Sequence, residues 1–306
     1  VKTEWSDAAQ TGLNGYDLVH LFNIMPVEDT YGQFLNARRQ RKPIVLSPIF
    51  WEPVEYLEAS GQADTFGEWW RKTMSWRREI IAGVDLILPN SVAELEALRR
   101  VFKGLPPAEI VPNAADRSFA MARPERFRSK FPSRDFILSV GRICRRKNQL
   151  SLIRVSRELG LPLVLVGPLN DGEYYRDCRK AAAGARVSFI DTLPQTELAS
   201  AYAAARVHAL VSWYDTPGLV SLEAALAGCR IVSTDRGSTR EYLGDAAFYC
   251  DPGDEKSIMR AITAAWESKT NPELKARILE KYTWEEAARA TYRGYRRAVG
   301  DESVDS

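Results

Sequence analysis

Two short segments hold residue types and spacings suited to anion chemistry. The first is Ser139-Val140-Gly141-Arg142-Ile143-Cys144-Arg145-Arg146-Lys147-Asn148, where an apolar run gives way to a segment of helical period, the position of a strand-to-helix turn. Gly141 lets the backbone approach a ligand, and Arg142 and Lys147 set two cations five positions apart, as an anionic phosphate ester requires. A basic, solvated loop is the plainer reading of the same residues. The second segment is Trp213-Tyr214-Asp215-Thr216-Pro217-Gly218-Leu219-Val220-Ser221-Leu222-Glu223-Ala224-Ala225. Here Pro217 is expected to preset the first helical dihedral, and Gly218 to keep the helix mouth at Gly218, Leu219 and Val220 open for an anion. Asp215 and Glu223 lie eight positions apart, and carboxylates accept well from paired hydroxyls. Asp215 also reads as an ordinary helix cap and Glu223 as a surface acid, but Leu222, Ala224, Ala225 and Leu226 around Glu223 make it a semi-buried acid.

The elements that must position these residues follow from hydropathy. Apolar runs at Phe136 to Val140, Leu163 to Val166, Val187 to Ile190, His208 to Val211, Ile231 to Ser233 and Ala247 to Cys250 alternate with helix-period stretches near 148–159, 173–183, 196–205, 219–227 and 254–267. Gly160, Gly184 and Gly228 stand where helices should stop. Residues 133–283 therefore read as one doubly wound α/β domain. Residues 1–132 repeat the pattern less completely, with strands expected at Asp17 to Phe22, Lys42 to Ser47 and Val84 to Pro89, and a short one at Ile110 to Pro112. Ser91 with Glu94 forms a capping box that opens a helix over 92–102. So few strands make a thin sheet, and the opening strands of this domain are expected to be missing. The joint is placed at Phe131-Pro132-Ser133-Arg134, and a helix over 284–299 is expected to pack back on the first domain, after a polar break at Ser268 to Pro272.

The chain has 306 residues, and 42 Lys and Arg against 40 Asp and Glu leave a formal charge of +2, which argues against bulk electrostatic binding of nucleic acid. The four cysteines are scattered, without a C-x-x-C pair, so they signal neither a zinc site nor a disulfide framework, and a reducing compartment is expected. No G-x-G-x-x-G follows an expected strand, which disfavours a dinucleotide dehydrogenase. His20 and His208 sit in apolar strands and read as core residues. The Phe66 to Ile81 stretch, with Trp69, Trp70 and Trp76 among Arg71, Lys72, Arg77 and Arg78, is expected to pack on the first sheet; peripheral contact with a membrane interface is the other reading.

Gly141-Arg142 to Lys147-Asn148, followed by Asp215 through Glu223-Ala224, resembles the donor-binding domain of retaining GT-B glycosyltransferases of family four, the glycosyl transferases group 1. The likeness extends through Gly228 to Val232, Gly237 to Glu241 and Asp251-Pro252. In the first half it extends through Tyr16 to Asn23, Pro89-Asn90-Ser91 with Glu94, and Val111-Pro112-Asn113. It implies two Rossmann-like domains facing a cleft, the first incomplete, and transfer of a sugar from a UDP- or GDP-linked donor to a glycan or lipid-linked acceptor in cell-envelope polysaccharide or O-antigen synthesis. By the same resemblance Arg142, Lys147 and Asp215 are the catalytic set: the two cations hold the diphosphate and Asp215 grips the transferred sugar. Gly141, Gly218, Leu219 and Val220 add backbone contacts, Glu223 takes the ribose, and Thr192 and Leu193 lie near the base. No metal or other cofactor is expected, and the setting is cytoplasmic, at most peripheral to the inner face of the membrane. Three features differ from the family pattern: Asp rather than Glu at 215, no His in Leu46 to Trp51, and no glycine-rich first turn. They motivate the alternative of a catalytically silent nucleotide- or glycan-binding subunit.

Overall fold

The computed structural model describes residues 1–131 and 135–301, apart from the side chain of Thr65; the expected joint at Pro132 to Arg134 and the end of the tail lie outside the described residues. The chain divides into two compact units, residues 1–112 with those from Glu285 onward, and Asn113–Trp284. This division precedes the expected joint because Phe119, Phe127 and Phe131 pack into the core of the second unit with Phe136, Leu138 and Tyr202.

In the first unit β1 (Val19–Phe22), β2 (Ile44–Ser47) and β3 (Leu86–Ile87) form a parallel sheet in that order. Helices Val27–Arg39, Ala63–Gly83 and Val92–Val101 close one core, in which Phe34, Ile80, Ile81 and Leu98 meet Leu21, Leu46 and Phe50. Tyr295 and Ala298 of the carboxy-terminal helix pack on Val45, Leu86 and Leu88. A Cβ on Gly294 would lie 2.6 Å from Leu88 Cδ2, so a glycine is what lets that helix come so close. Ile110 to Pro112 does not form the expected strand. The backbone there touches β3 through a single bridge, Ile87 to Ala108, and Val111 N–H donates to Pro89 O at 2.9 Å, but Pro89 has no N–H with which to extend the ladder.

The tryptophan-bearing stretch lies within the helix Ala63–Gly83, where Ile80 and Ile81 are buried and Trp70 and Met74 pack against the same core, while Phe66 and Trp76 are exposed. Arg77 is fully buried beneath it, stacked 4.1 Å from the Trp70 ring and 4.8 Å from the Trp69 ring. Its guanidinium donates to Ile24 O (2.8 Å), Met25 O (2.6 Å) and Thr73 Oγ1 (2.6 Å), tying down the turn that follows β1. Both His20 ring nitrogens are hydrogen bonded, Nδ1 with the Tyr295 hydroxyl (2.8 Å) and Nε2 with Ser47 Oγ (2.9 Å). Among the described residues no helix is long and apolar enough to cross a membrane.

The second unit holds β4 (Ile137–Val140), β5 (Leu163–Val166), β6 (Val187–Ile190), β7 (Val207–Leu210), β8 (Arg230–Thr234) and β9 (Phe248–Cys250). All pairings are parallel and the order is β6-β5-β4-β7-β8-β9, the doubly wound order in which the first and fourth strands of the unit are neighbours. The helix after β4, Gln149–Glu158, buries Leu152, Ile153 and Val155 in the core on one face, and the helix Leu219–Leu226 after β7 buries Leu222 and Leu226 in the core on the other. Chains that leave adjacent strands toward opposite faces open a crevice at their carboxyl ends. Helices absent from the sequence reading include Glu125–Arg128, Thr239–Leu243 and Pro272–Lys281, the last beginning where the expected polar break ends. Asn271 caps it, its side chain accepting from Glu273 N at 2.9 Å, with Pro272 in the first turn.

Candidate active site

The crevice between β4 and β7 is lined by the two segments singled out for their chemistry. After β4, Gly141 adopts φ 149° and its N–H donates to Val166 O at 2.8 Å. Gly167, at φ 155°, crosses so close beneath that its Cβ would stand 2.1 Å from Gly141 O, so no side chain fits there. Asn148, in the left-handed region at φ 55°, donates its Nδ2 to Val211 O (3.3 Å) and Pro252 O (2.9 Å), fastening the β4 loop to the ends of β7 and β9. After β7, Trp213 N–H donates to Arg146 O (2.9 Å) and Arg146 Nη1 to Tyr214 O (2.7 Å). The backbone between Asp215 and Gly218 is held by Asn113, whose Nδ2 donates to Thr216 O at 3.2 Å and whose N–H donates to the Tyr242 hydroxyl at 2.8 Å.

These ties bring Lys147 and Asp215 together. Lys147 Nζ donates to Asp215 Oδ1 at 2.8 Å, with the two side chains only 13% and 9% exposed, so each desolvated charge is answered by the other. Asp215 does not cap the helix. The cap is Gly218 at φ 81°, and Pro217 lies ahead of it instead of presetting the first helical dihedral. A Cβ on Gly218 would meet Leu210 Cδ2 at 2.6 Å, with Ser221 Oγ (3.5 Å) and Asp215 Cβ (3.8 Å) next to it. Several polar atoms around this mouth are buried without a hydrogen-bond partner among the described residues: Asp215 Oδ2, Ser212 Oγ and Ser221 Oγ. Beneath them His208 is fully buried, its ring nitrogens unpaired apart from an approach to the Leu138 backbone. Burial, assisted by the Lys147 charge, lowers its pKa to about 3, so the ring is neutral.

The remaining expected residues spread along the same edge of the sheet. Arg142 is exposed and its guanidinium has no partner among the described residues, while its carbonyl accepts from Gln149 Nε2 at 2.9 Å. Glu223 is half-buried on the first turns of the helix, and its Oε2 accepts from the Tyr202 hydroxyl at 3.0 Å. Burial raises the Glu223 pKa, the Tyr202 hydrogen bond opposes that rise, and the Asp116 charge adds to it. Leu219 is exposed and Val220 half-buried at the mouth. Thr192 is exposed and Leu193 packs on the core, both beyond the end of β6, two strands from β4. The sequence reading gave no individual role to Arg146, Asn148 and Ser221, although they lie in the two segments, and passed over Tyr202, Ser212 and Gly167. Only Gly167 carried a local signal, a glycine directly after a strand. No group of three or more His, Cys, Asp or Glu gathers to hold a metal ion among the described residues.

A doubly wound unit with a basic β4 loop and an acid-bearing helix mouth at its switch point, in one chain with a second parallel α/β unit, is the GT-B glycosyltransferase fold. The profile of the glycosyl transferases group 1 matches residues 122–283, more than half of the chain, and the protein belongs to that family. Sucrose-phosphate synthase from Thermosynechococcus elongatus is similar over 94% of this chain and 74% of its own, with a TM-score of 0.79 and 22% identity. Anabaena Alr3699/HepE, solved in complex with UDP and glucose, gives a TM-score of 0.70 at 17% identity, over 94% of this chain and 78% of its own. Among curated proteins, sulfoquinovosyl transferase SQD2 of Arabidopsis thaliana is 27% identical over 214 residues, 67% of this chain and 41% of that protein. The chain spans about half the length of the curated relatives it matches.

Proposed function

We propose that the chain is a retaining hexosyltransferase that moves a sugar from a UDP- or GDP-linked donor to a glycan or lipid-linked acceptor in cell-envelope polysaccharide synthesis, at the cytoplasmic face of the membrane. The observation that carries this reading is the Lys147–Asp215 pair, nearly desolvated, beside a helix mouth ringed by unpartnered polar atoms. A donor diphosphate entering there offers Lys147 a stronger counter-anion than Asp215. Lys147 and the exposed Arg142 then hold the diphosphate, and Asp215, released, accepts from hydroxyls of the sugar. Lys147 thus exchanges one counter-anion for another, while the Asp215 charge is met by hydroxyl donors of the sugar. As the sugar–phosphate bond breaks, negative charge grows on the diphosphate, and cations and helix N–H groups already aimed at it lower the barrier. Two basic side chains do what a metal ion does elsewhere, so the reading invokes no metal. Glu223 accepts from the ribose. The names of the relatives support a nucleotide-sugar donor, a transferred hexose-type sugar and O-antigen-like acceptors.

The test is thermal unfolding against a panel of nucleoside diphosphates, followed by release of nucleoside diphosphate from the matching nucleotide sugars. One base is expected to raise the midpoint, since ligand at a hundred times Kd stabilises by about 2.7 kcal/mol. The shift should vanish in Arg142→Ala and shrink in Glu223→Ala. No shift with any nucleotide overturns the reading; binding without sugar release in the presence of acceptor glycans supports the silent subunit instead.

A further inference from the structure

Tyr202 is the last large side chain of the helix Gln195–Ala204 and is fully buried. Its ring stands edge-on to His208 (5.7 Å between centroids, 76°) and to Phe119 (5.9 Å, 68°), and its backbone carbonyl accepts from Cys229 Sγ at 3.0 Å. Ring and backbone are thus held from three sides. The hydroxyl is the side chain's one polar atom, and it donates to Glu223 Oε2 at 3.0 Å. Burial and the Glu223 charge raise the phenol pKa well above its usual value, so the hydroxyl stays protonated and serves as a donor. A buried hydroxyl needs a partner, but a semi-exposed carboxylate on a helix does not need a buried tyrosine to stay solvated. The arrangement therefore does more for the direction of the carboxylate than for its stability: Oε2 is anchored by the Tyr202 hydroxyl, and the half-buried carboxylate keeps acceptor capacity on both oxygens.

We propose that Tyr202 is a positioning residue that orients Glu223 to accept from the vicinal hydroxyls of the donor ribose, so that the Tyr202–Glu223 pair discriminates ribonucleotide from deoxyribonucleotide donors. This rests on the reading that Glu223 faces the nucleotide. A carboxylate with one oxygen already committed has a restricted set of acceptor directions, and two adjacent hydroxyls match them better than one. A site built to receive a hydroxyl rejects the analogue that lacks it, because a desolvated acceptor is then left unpaired. In Tyr202→Phe the ring and its packing persist and only the anchoring hydrogen bond is lost.

The experiment measures, by calorimetry, the affinities for the preferred nucleoside diphosphate and for its 2′-deoxy and 3′-deoxy analogues in the wild type, Tyr202→Phe, Glu223→Ala and Phe119→Leu. The wild type is expected to favour the ribonucleotide by roughly tenfold or more, the effect of one hydrogen bond to a charged group. Tyr202→Phe should cut that preference by about three- to tenfold with the deoxy affinities unchanged. Glu223→Ala should abolish the preference, and Phe119→Leu, which disturbs the same packing but spares the hydroxyl, should keep it. A preference unchanged in Tyr202→Phe, or lost equally in Phe119→Leu, overturns the role of Tyr202 while leaving the donor site standing. A wild type that binds no nucleoside diphosphate overturns the donor-site reading and this assignment with it.

Discussion

The two units bury ionisable groups in opposite ways. In the first, Arg77 is fully buried with bonds to two carbonyls and a hydroxyl, and Glu94, 1% exposed, accepts from Phe50 N, Asn90 N and the Asn90 side chain. Each group fastens loops that leave the carboxyl ends of the strands. In the second, Asp215 Oδ2, Ser212 Oγ, Ser221 Oγ and the His208 ring are buried without hydrogen-bond partners among the described residues. Leaving such atoms unpaired costs about 1–3 kcal/mol each, and a fold keeps them only where something else answers them. The contrast sets polar groups that fasten loops against polar groups without partners among the described residues, and the proposed donor site lies with the second kind, where the strand order independently places a crevice.

The largest expected effect is on the first kind of group. Arg77→Met leaves the Ile24 and Met25 carbonyls without donors and should destabilise the first unit by about 3–5 kcal/mol in denaturant unfolding. The nucleotide-induced shift of the second unit should survive. An unchanged unfolding midpoint would break the comparison at its root. Next is Gly167→Ala, whose Cβ would collide with Gly141 O and push the β4 loop aside. A loss of roughly 2–3 kcal/mol is expected, with a fall in nucleotide affinity beyond what stability explains.

A pH series comes third. Burial raises the Glu94 pKa from 4.5 to about 7, so the folded state holds that proton more tightly, and stability falls as pH rises between those values. Burial lowers the His20 pKa from 6.5 to about 4 and the His208 pKa to about 3, so the unfolded state takes those protons first and stability falls as pH drops below 6.5. Between pH 6.5 and 4.5 Glu94 and His20 therefore oppose each other in the first unit, and in the second the raised Glu223 pKa offsets part of the His208 loss. At about 1.4 kcal/mol per unit of pH, the His208 contribution is of order 2 kcal/mol across that window. Calorimetric Tm against pH should show His208→Phe flattening the acid loss and Glu94→Gln deepening it; parallel curves for all three proteins would contradict the assignment. The smallest effect sharpens the contrast most. Ser212→Ala and Ser221→Ala remove hydroxyls that have no hydrogen-bond partner among the described residues, so stability should stay within about 0.5 kcal/mol or rise. Nucleotide affinity should fall at least severalfold. A clear loss of stability in either variant would place these serines with the structural groups.

Much of the second unit was legible from local pattern. Each of its strands is a short apolar run closed by a glycine or a polar turn, and each following helix carries its own stripe, so both can be read within about ten residues. The same reading picked out the βα loop with Arg142 and Lys147 and the acid-bearing helix mouth. It failed where one local cue masked another: the polar break before Pro272 is real, but the helix that starts there went unread, and Pro89 silently ended the ladder that Ile110 to Pro112 would have joined.

By itself the sequence determined which segments are strands and helices, which loops are rich in cations, and which acids follow them. Tertiary structure alone decided who meets whom. Lys147 pairs with Asp215 across 68 residues, Arg77 reaches back 53 to Ile24, and Tyr202 finds Glu223 on a different helix. Those meetings depend on the order of strands in the sheet and on the face to which each helix turns. Both are set by the packing of the whole core, and periodicity along the chain carries no record of them.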